Sequence, residues 1–138
     1  MARELNGAEA AFLAEARIGH LGTLSMDLRP HVVPVCPVLD LNRVLVASAY
    51  DRKIANVRDN PSVTFCVDRY SEDWEWENGL AQVIVWGEAY VVESGPEFER
   101  DRALFYEKFP QYERVAPITE GDTAIIEIRI ERVHSAGL

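Results

Sequence analysis

The sequence predicts a small antiparallel β-barrel with few helices, and three observations support this fold class. Six short segments are rich in β-branched and aromatic residues and are separated by turn residues. The last of them, residues 123–134, alternates apolar with charged side chains, which is typical of a strand with one buried face. An open sheet of six strands would leave two exposed edges, and closing the sheet into a barrel removes them.

The N-terminal segment predicts a short helix followed by the first strand. Asn6 and, three residues later, Glu9 form the pattern of a capping box, in which each side chain bonds the backbone N–H of the other residue. This helix is expected to end near Gly19. Residues 18–25 then alternate in the manner of a strand, and we interpret His20 on that strand as a structural residue rather than a ligand.

The second predicted strand, residues 31–39, contains two prolines. Residues 26–30 have the composition of a turn, so the first two strands are expected to form a hairpin. Pro34 and Pro37 lack the backbone N–H that a sheet ladder needs. The strand must therefore lie at an edge, contain a bulge, or run beside something other than a strand, such as a ligand or another subunit.

A third strand, residues 43–48, leads into a short helix. Asp51 is a suitable N-cap for residues 52–59, since its carboxylate can accept a hydrogen bond from the first turn. Asn60 precedes a proline and therefore avoids the helical conformation, so the helix is expected to end there. Ile54 on the same helix is expected to be buried.

The first two residues of this helix, Arg52 and Lys53, are both cations. The helix dipole disfavours a cation in the first turn by about 0.3–1 kcal/mol. A bound phosphate would reverse that effect, because it would meet free backbone N–H groups, a guanidinium and an ammonium together. Alternatively, both cations are solvated or paired with a carboxylate such as Asp51. The residues alone leave these two readings about equally favoured.

The C-terminal half predicts the remaining three strands and one long helix. Residues 94–110 carry the start and stop signals of a helix. Gly87 is interpreted as a strand interruption at which another backbone approaches closely. Three tryptophans, Trp74, Trp76 and Trp86, are interpreted as covers of a barrel end or a subunit contact rather than cofactor residues. The strands are residues 62–70, 81–93 and 123–134.

Length and composition indicate a single domain, residues 1–138. With 14 Lys and Arg against 23 Asp and Glu, the formal charge is −9, which disfavours binding to nucleic acid or to anionic membranes. Neither a signal peptide nor a membrane-spanning run is indicated, so we expect a cytoplasmic protein. Cys36 and Cys66 are expected to be small buried hydrophobic residues, and no group of residues has metal-ligand spacing.

Four segments together resemble the pyridoxamine 5′-phosphate oxidase-like split β-barrel proteins, which bind flavin mononucleotide (FMN) or a deazaflavin coenzyme. The succession "VLVAS", "YDRK" and "DNPSVTF" resembles the phosphate-binding segment of that family. The other segments are "GHLGTLSMDLRPHVVPVCPVLD" for the opening hairpin, "VDRYSEDWEWENGLAQVIVWGEAYVVE" for the central strands and "FYEKFPQY" for the late helix. The resemblance covers about residues 12–134 and rests on the order and spacing of these segments.

The resemblance implies a mainly β fold, namely a six-stranded antiparallel split β-barrel of the FMN-binding type with short flanking helices. It also implies a homodimer with cofactor sites at the subunit interface. Carried over by position, Arg52 and Lys53 would bind the cofactor phosphate and Ser48 would assist. The segment beside the isoalloxazine ring would be His31, Val32, Val33, Pro34 and Val35, with His31 as a contact rather than a catalyst.

The predicted function is that of an FMN-dependent oxidoreductase acting on an unidentified small molecule, and no catalytic residue is assigned. Pyridoxamine 5′-phosphate is not the expected substrate, because the longer true oxidases bind it with an Arg and a His of their C-terminal segment. Here His134 is the only histidine in that region, and no matching Arg–His spacing exists. One alternative is a deazaflavin-dependent reductase, whose polyanionic coenzyme would favour Arg29, Arg43 and Arg58 along the cleft. Another is a non-enzymatic dimer that stores or senses a cofactor or binds haem, which Ala136 favours because many relatives have Trp there.

Overall fold

The computed structural model describes residues 4–72 and 79–138, which form one antiparallel sheet and four helices. The strands are β1 (Gly19–Leu24), β2 (Pro30–Val35), β3 (Pro37–Asp40), β4 (Arg43–Ala49), β5 (Ser62–Tyr70), β6 (Leu80–Val92) and β7 (Thr123–Ala136). The helices are α1 (Gly7–Glu15), α2 (Arg52–Asp59), α3 (Gly95–Lys108) and α4 (Gln111–Val115). No helix in these two ranges is long and apolar enough to cross a membrane.

The sheet curls so that its two ends meet at one residue. Its strand order is β2-β1-β5-β6-β7-β4-β3, which places β2 and β3 at opposite edges. These two strands are consecutive in the chain and are separated only by Cys36. The mainly β, split-barrel prediction is confirmed with seven strands rather than six, because the predicted strand 31–39 changes pairing partner at Cys36. Pro34 and Pro37 both lie on the edge strands, where a missing N–H is tolerated.

Alternate side chains of the central strands fill the interior of the barrel. Leu21, Phe65 and Val85 are consecutive cross-strand partners on β1, β5 and β6, and all three are fully buried. Ile126 of β7 belongs to the same cluster. Burial of each such side chain contributes about 1.5–3 kcal/mol, so this row anchors the sheet.

A second apolar layer lies on the other face of β4 and β7. Phe98 and Phe105 of α3 pack there with Leu45 and Ile125, and all four are fully buried. Because α3 covers this face, β7 is buried on both sides at residues 124–128. The alternation in the sequence predicts that Glu127 faces solvent, and this is wrong because α3 encloses it.

The local signals for the helices are confirmed. Asn6 Oδ1 accepts from the Glu9 N–H at 2.8 Å and Glu9 Oε1 accepts from the Asn6 N–H at 3.0 Å, which completes the capping box. The helix α1 ends at Glu15, earlier than expected, because Ala16 is already extended. The short helix α4 was not predicted.

The interruption predicted at Gly87 is also confirmed. The pairing of β6 with β7 shifts register between Trp86 and Gly87. A Cβ atom on Gly87 would lie 2.2 Å from the carbonyl oxygen of Arg129. Any side chain here would therefore force β6 and β7 apart.

Candidate functional site

The helix α2 begins and ends where the sequence predicts, and Asp51 organises its start. The Asp51 carboxylate accepts a hydrogen bond from the Lys53 N–H at 3.2 Å and so caps the helix. The Lys53 ammonium lies 2.6 Å from the same carboxylate. The Ser48 hydroxyl lies 2.6 Å from the Ala49 carbonyl oxygen and 3.3 Å from the Asp51 carboxylate, and it shares its single proton between these acceptors. Partial burial raises the pKa of Asp51, but these hydrogen bonds outweigh it and hold the pKa below its usual value. Lys53 and Ser48 are therefore both engaged by Asp51.

Arg52 differs from Lys53, because its side chain points into a cleft. The cleft lies between α2 and β2 and has a volume of about 340 Å³. Across residues 4–72 and 79–138, no carboxylate lies within ion-pair distance of the Arg52 guanidinium. We call this space the α2 cleft; its lining residues are Ser25, Asp27, Arg29, Pro30, His31, Arg52 and Asn56.

Two residues that line the α2 cleft, His31 and Asn56, have buried polar atoms. The Nδ1 atom of His31 is buried and has no hydrogen-bond partner in the described part of the chain. Asn56 is 1% exposed, and its Nδ2 donates to the Thr23 hydroxyl at 3.0 Å. Asn56 follows Arg52 by four residues, so both lie on one face of α2. A buried nitrogen without a partner is costly, so this ring position is a polar group that the described residues leave unsatisfied.

The electrostatic balance of the α2 cleft is positive. Arg29 pairs with Asp27 at 3.2 Å, but both side chains are largely exposed and this pair is weak. The Ser25 hydroxyl donates to Asp27 and accepts from the Arg29 N–H at 3.0 Å, which fixes the turn after β1. The guanidinium of Arg52 then remains without a compensating carboxylate among the described residues, whereas Asp51 already compensates the N-terminal end of α2. The chain as a whole has a formal charge of −9, so a cleft lined by an unpaired arginine contrasts with the rest of the molecule.

A larger cavity of about 550 Å³ adjoins the α2 cleft and shares Pro30 with it. Its floor is a row of cross-strand partners that runs over five strands on the face opposite the barrel core. The Arg132 guanidinium stacks 4.9 Å from the centroid of the Trp86 ring at one end, and Val32 is 65% exposed at the other. The row consists of Val32, Gly22, Thr64, Trp86 and Arg132. It offers a flat and largely apolar surface.

The structure separates the residues that the resemblance assigned to one cofactor. His31 and Arg52 line the α2 cleft together, whereas Ser48 and Lys53 are held by Asp51. The resemblance places residues 31–35 beside the isoalloxazine ring. Side chains of successive strand residues alternate between the two faces of a sheet, so these five side chains cannot all face the same cavity. Val32 faces the larger cavity, Pro34 is exposed on the edge strand, and Val33 and Val35 pack into the barrel core. Their assignment to a cofactor stays a prediction.

Sequence reasoning did not identify Asn56 or Thr23. The helical spacing between Arg52 and Asn56 was available as a signal, but the bond to Thr23 joins residues 33 positions apart and is set by the tertiary fold. Of the tryptophans, Trp86 lines the larger cavity, and Trp74 and Trp76 lie outside the described residues.

A second polar cluster lies away from the cleft, under α3. Arg43 lies 2.5 Å from Asp40 and 2.8 Å from Glu127. Asp101 is fully buried and Glu127 is 3% exposed, and each has one carboxylate oxygen without a hydrogen-bond donor in the described residues. Burial and the hydrogen bond with Asp101 raise the pKa of Glu127 to about 8. Glu127 therefore keeps its proton to higher pH than an exposed carboxyl group does.

Comparison with known proteins covers nearly the whole chain. The family model described as pyridoxamine 5′-phosphate oxidase matches residues 5–136. A FAD-binding protein from Mesorhizobium loti superposes with a TM-score of 0.76 at 23% identity, over 96% of this chain and 95% of that chain. The heme storage protein HutZ from Vibrio cholerae superposes with a TM-score of 0.80 at 17% identity, over 99% and 97%.

A third structural neighbour is an F420 reductase, with a TM-score of 0.66 at 20% identity over 94% of this chain and 98% of that chain. At these identities the likeness to solved structures shows the shared fold. No curated protein matches the sequence.

Proposed function

Because the chain belongs to the pyridoxamine 5′-phosphate oxidase family, we propose that it is an FMN-dependent oxidoreductase whose cofactor phosphate binds in the α2 cleft. The observation that carries this proposal is the pair formed by Arg52 and His31. Arg52 has no carboxylate partner among the described residues, and the buried Nδ1 of His31 has no hydrogen-bond partner among them. A guanidinium without a carboxylate partner and a histidine side chain, both lining one cleft, fit a polar, anionic ligand.

The residues of α2 would bind the phosphate. Arg52 offers a forked donor, and the first N–H groups of the helix that Asp51 does not accept add to it. Asn56 cannot turn away from the cleft, because its amide is fixed by the bond to Thr23. Lys53 would reach the same anion only after leaving Asp51, which lies 2.6 Å from it.

The larger cavity, which adjoins the α2 cleft, would bind the isoalloxazine ring of FMN. Bound FMN supplies the hydride transfer itself, and the protein supplies orientation and exclusion of water. The row from Val32 to Trp86 is flat and apolar enough for an aromatic ring, and Pro30 connects it to the α2 cleft. His31 lines the α2 cleft and would contact the ligand there. This assigns His31 to binding rather than to proton transfer.

We further propose that two copies of the chain form a homodimer and that the cofactor lies at their interface. The larger cavity is open on the outer face of the sheet, with Val32 65% exposed beside it. The strand β2 is an edge strand, so its outer side has no partner strand among residues 4–72 and 79–138. A second copy would cover this apolar surface and complete the enclosure of the ring. A cytoplasmic location stays a prediction from the sequence.

The substrate is proposed to be a small molecule other than pyridoxamine 5′-phosphate, on the sequence grounds given above. Two other ligands for the same fold are deazaflavin coenzyme and haem. Of the three arginines considered for a polyanionic coenzyme, Arg29 alone lines the α2 cleft. Arg43 is enclosed by carboxylates, and Arg58 pairs with Glu93 at 2.7 Å. This distribution supports a ligand with a single phosphate group over a polyanionic tail.

The visible spectrum of the freshly purified protein tests the proposal. We expect flavin absorption bands, and FMN identified by mass spectrometry after heat denaturation releases the ligand. A protein purified without cofactor should bind added FMN. Failure to bind FMN, together with binding of deazaflavin coenzyme or haem, would contradict the proposal and support the corresponding alternative.

A further inference from the structure

We propose that a second cavity, away from the α2 cleft, binds a small apolar or aromatic carboxylate. It lies between the α1–β1 connection and the end of α3 with α4, and its volume is about 410 Å³. That volume is in the range of small-ligand pockets. We call it the Phe109 cavity; its principal lining residues are Arg17, Ile18, Cys36, Phe109, Tyr112 and Val115.

The walls of the Phe109 cavity are apolar. Phe109 is buried and contacts the Tyr112 ring edge to face, with centroids 5.8 Å apart. Ile18 is 59% exposed and Val115 is 69% exposed, so two large aliphatic side chains face solvent at the rim of one concavity. Exposed apolar side chains that line one concave surface are typical of a ligand site, whereas isolated exposed apolar side chains are common on any protein surface.

Two cations lie over the same ring and have no counter-charge. The Arg17 guanidinium is 5.7 Å and the Lys108 ammonium 5.3 Å from the centroid of Phe109. Their hydrogen bonds go to backbone carbonyls: Arg17 donates to Lys108 O at 3.3 Å, and Lys108 donates to Ala16 O at 2.6 Å and to Pro37 O at 2.8 Å. Within residues 4–72 and 79–138, neither cation has a carboxylate within ion-pair distance.

The two cations also destabilise each other. Partial burial, and then the charge of Arg17, lower the pKa of Lys108 to about 8. In a chain of formal charge −9, two neighbouring cations without a carboxylate are unusual. An anion with an apolar body would compensate the charge of Arg17, which lines the cavity, and cover the exposed side chains at once. An aromatic or branched aliphatic carboxylate has this chemistry.

The Phe109 cavity is independent of the proposed flavin site. It shares no lining residue with the α2 cleft or the adjoining cavity. His31 lies near the start of β2 and Cys36 just past its end, so five residues of extended chain, about 17 Å, separate them. Binding at one site can therefore be measured without changing the residues of the other.

A fluorescence titration with 8-anilino-1-naphthalenesulfonate, an aromatic anion, tests the proposal. The wild-type protein should bind the probe saturably. Arg17→Gln should weaken binding about fivefold, because a charge-assisted contact is lost. Val115→Asp should weaken it more, because it places a negative charge on the apolar rim. Arg114→Gln is the matched control, since Arg114 is exposed on α4 outside the cavity and the change in net charge is the same; its affinity should equal that of the wild type.

The uncharged probe N-phenyl-1-naphthylamine separates charge recognition from apolar contact. Arg17→Gln should leave its affinity unchanged, and Val115→Asp should weaken it. Absence of saturable binding of the anionic probe to the wild type, as expected if a second copy covers the cavity, would overturn the proposal. Equal effects of Arg17→Gln and Arg114→Gln on that probe would also overturn it.

Discussion

Arg43 and Arg52 lie in opposite electrostatic surroundings. Arg43 is 20% exposed, and its guanidinium is within 4 Å of Asp40, Glu97 and Glu127. Arg52 is exposed at the α2 cleft and has no such partner among the described residues. A cation that stabilises the fold is enclosed by carboxylates, because a buried charge must be paired. A cation left unpaired beside a buried, unsatisfied histidine nitrogen is available to a ligand.

The largest effect is expected when each arginine is replaced by methionine. Arg43→Met removes the cation from a buried group of carboxylates and should lower the free energy of unfolding by about 3–5 kcal/mol. Arg52→Met removes no pair and should change it by less than about 0.5 kcal/mol. Urea denaturation of both variants measures the difference. Similar losses of unfolding free energy in the two variants would contradict the conclusion that Arg43 is paired and Arg52 is not.

The second expectation concerns pH and the cluster around Arg43. Glu127 has an ordinary pKa of 4.5, and burial with Asp101 raises it to about 8 in the folded protein. Between these values the folded state keeps a proton that the unfolded state has lost, so stability falls as pH rises. The contribution is fully present below the ordinary pKa and is lost as pH passes through about 8. The charged groups beside Glu127 are Arg43, Asp101 and Glu97.

Thermal unfolding from pH 5 to pH 9 measures this dependence. Glu127→Gln keeps the shape and the neutral state of the side chain, so its stability curve should be flatter than that of the wild type. A variant with the same pH dependence as the wild type would assign the proton to another group.

A third and smaller effect is expected for Asn56, which joins the α2 cleft to β1. Asn56→Ala removes the buried bond to Thr23 and should cost about 1–3 kcal/mol, because the Thr23 hydroxyl loses its partner. Thr23→Val in the same background should recover part of that loss. A double-mutant cycle by denaturation gives the coupling energy. A coupling near zero would mean that Asn56 is not fixed by Thr23.

The smallest effect is expected at Asp51, which holds Lys53 away from the cleft. Asp51→Asn keeps a good N-cap, so stability should change little. It removes the charge that lies 2.6 Å from the Lys53 ammonium, and the released ammonium should raise FMN affinity about threefold. Titration of FMN into wild-type and variant protein checks this. Weaker binding by the variant would indicate that Asp51 positions Lys53 for the ligand and does not withhold it.

The predictable parts of the molecule are those fixed by short-range rules. The bounds of α2 follow from Asp51 as cap and from Asn60 before a proline, and the capping box of α1 follows from two residues. The break at Cys36 could not be predicted, because both flanking segments read as strand and their partners lie on opposite sheet edges. The burial of Glu127 was not predicted. The alternation of apolar and charged residues along β7 identifies the face that packs into the barrel core, but it does not show that α3 covers the opposite face.

In the candidate site, too, short-range rules predicted the position of the residues along α2 but not the direction of their side chains. The sequence placed Arg52 and Lys53 together at the start of α2 and left open whether they bind an anion or pair with Asp51. The structure shows Lys53 paired with Asp51 and Arg52 without a partner among the described residues. That choice depends on side-chain direction, which residue order does not encode.

Arg52 is the residue proposed to bind the cofactor phosphate, and a paired FMN titration tests this assignment most directly. Arg58→Ala is the matched control, because Arg58 lies on the same helix, carries the same charge and already pairs with Glu93. We predict that Arg52→Ala weakens FMN binding about 10- to 100-fold and that Arg58→Ala changes it less than about twofold. Unchanged affinity in Arg52→Ala, or equal losses in both variants, would contradict the account.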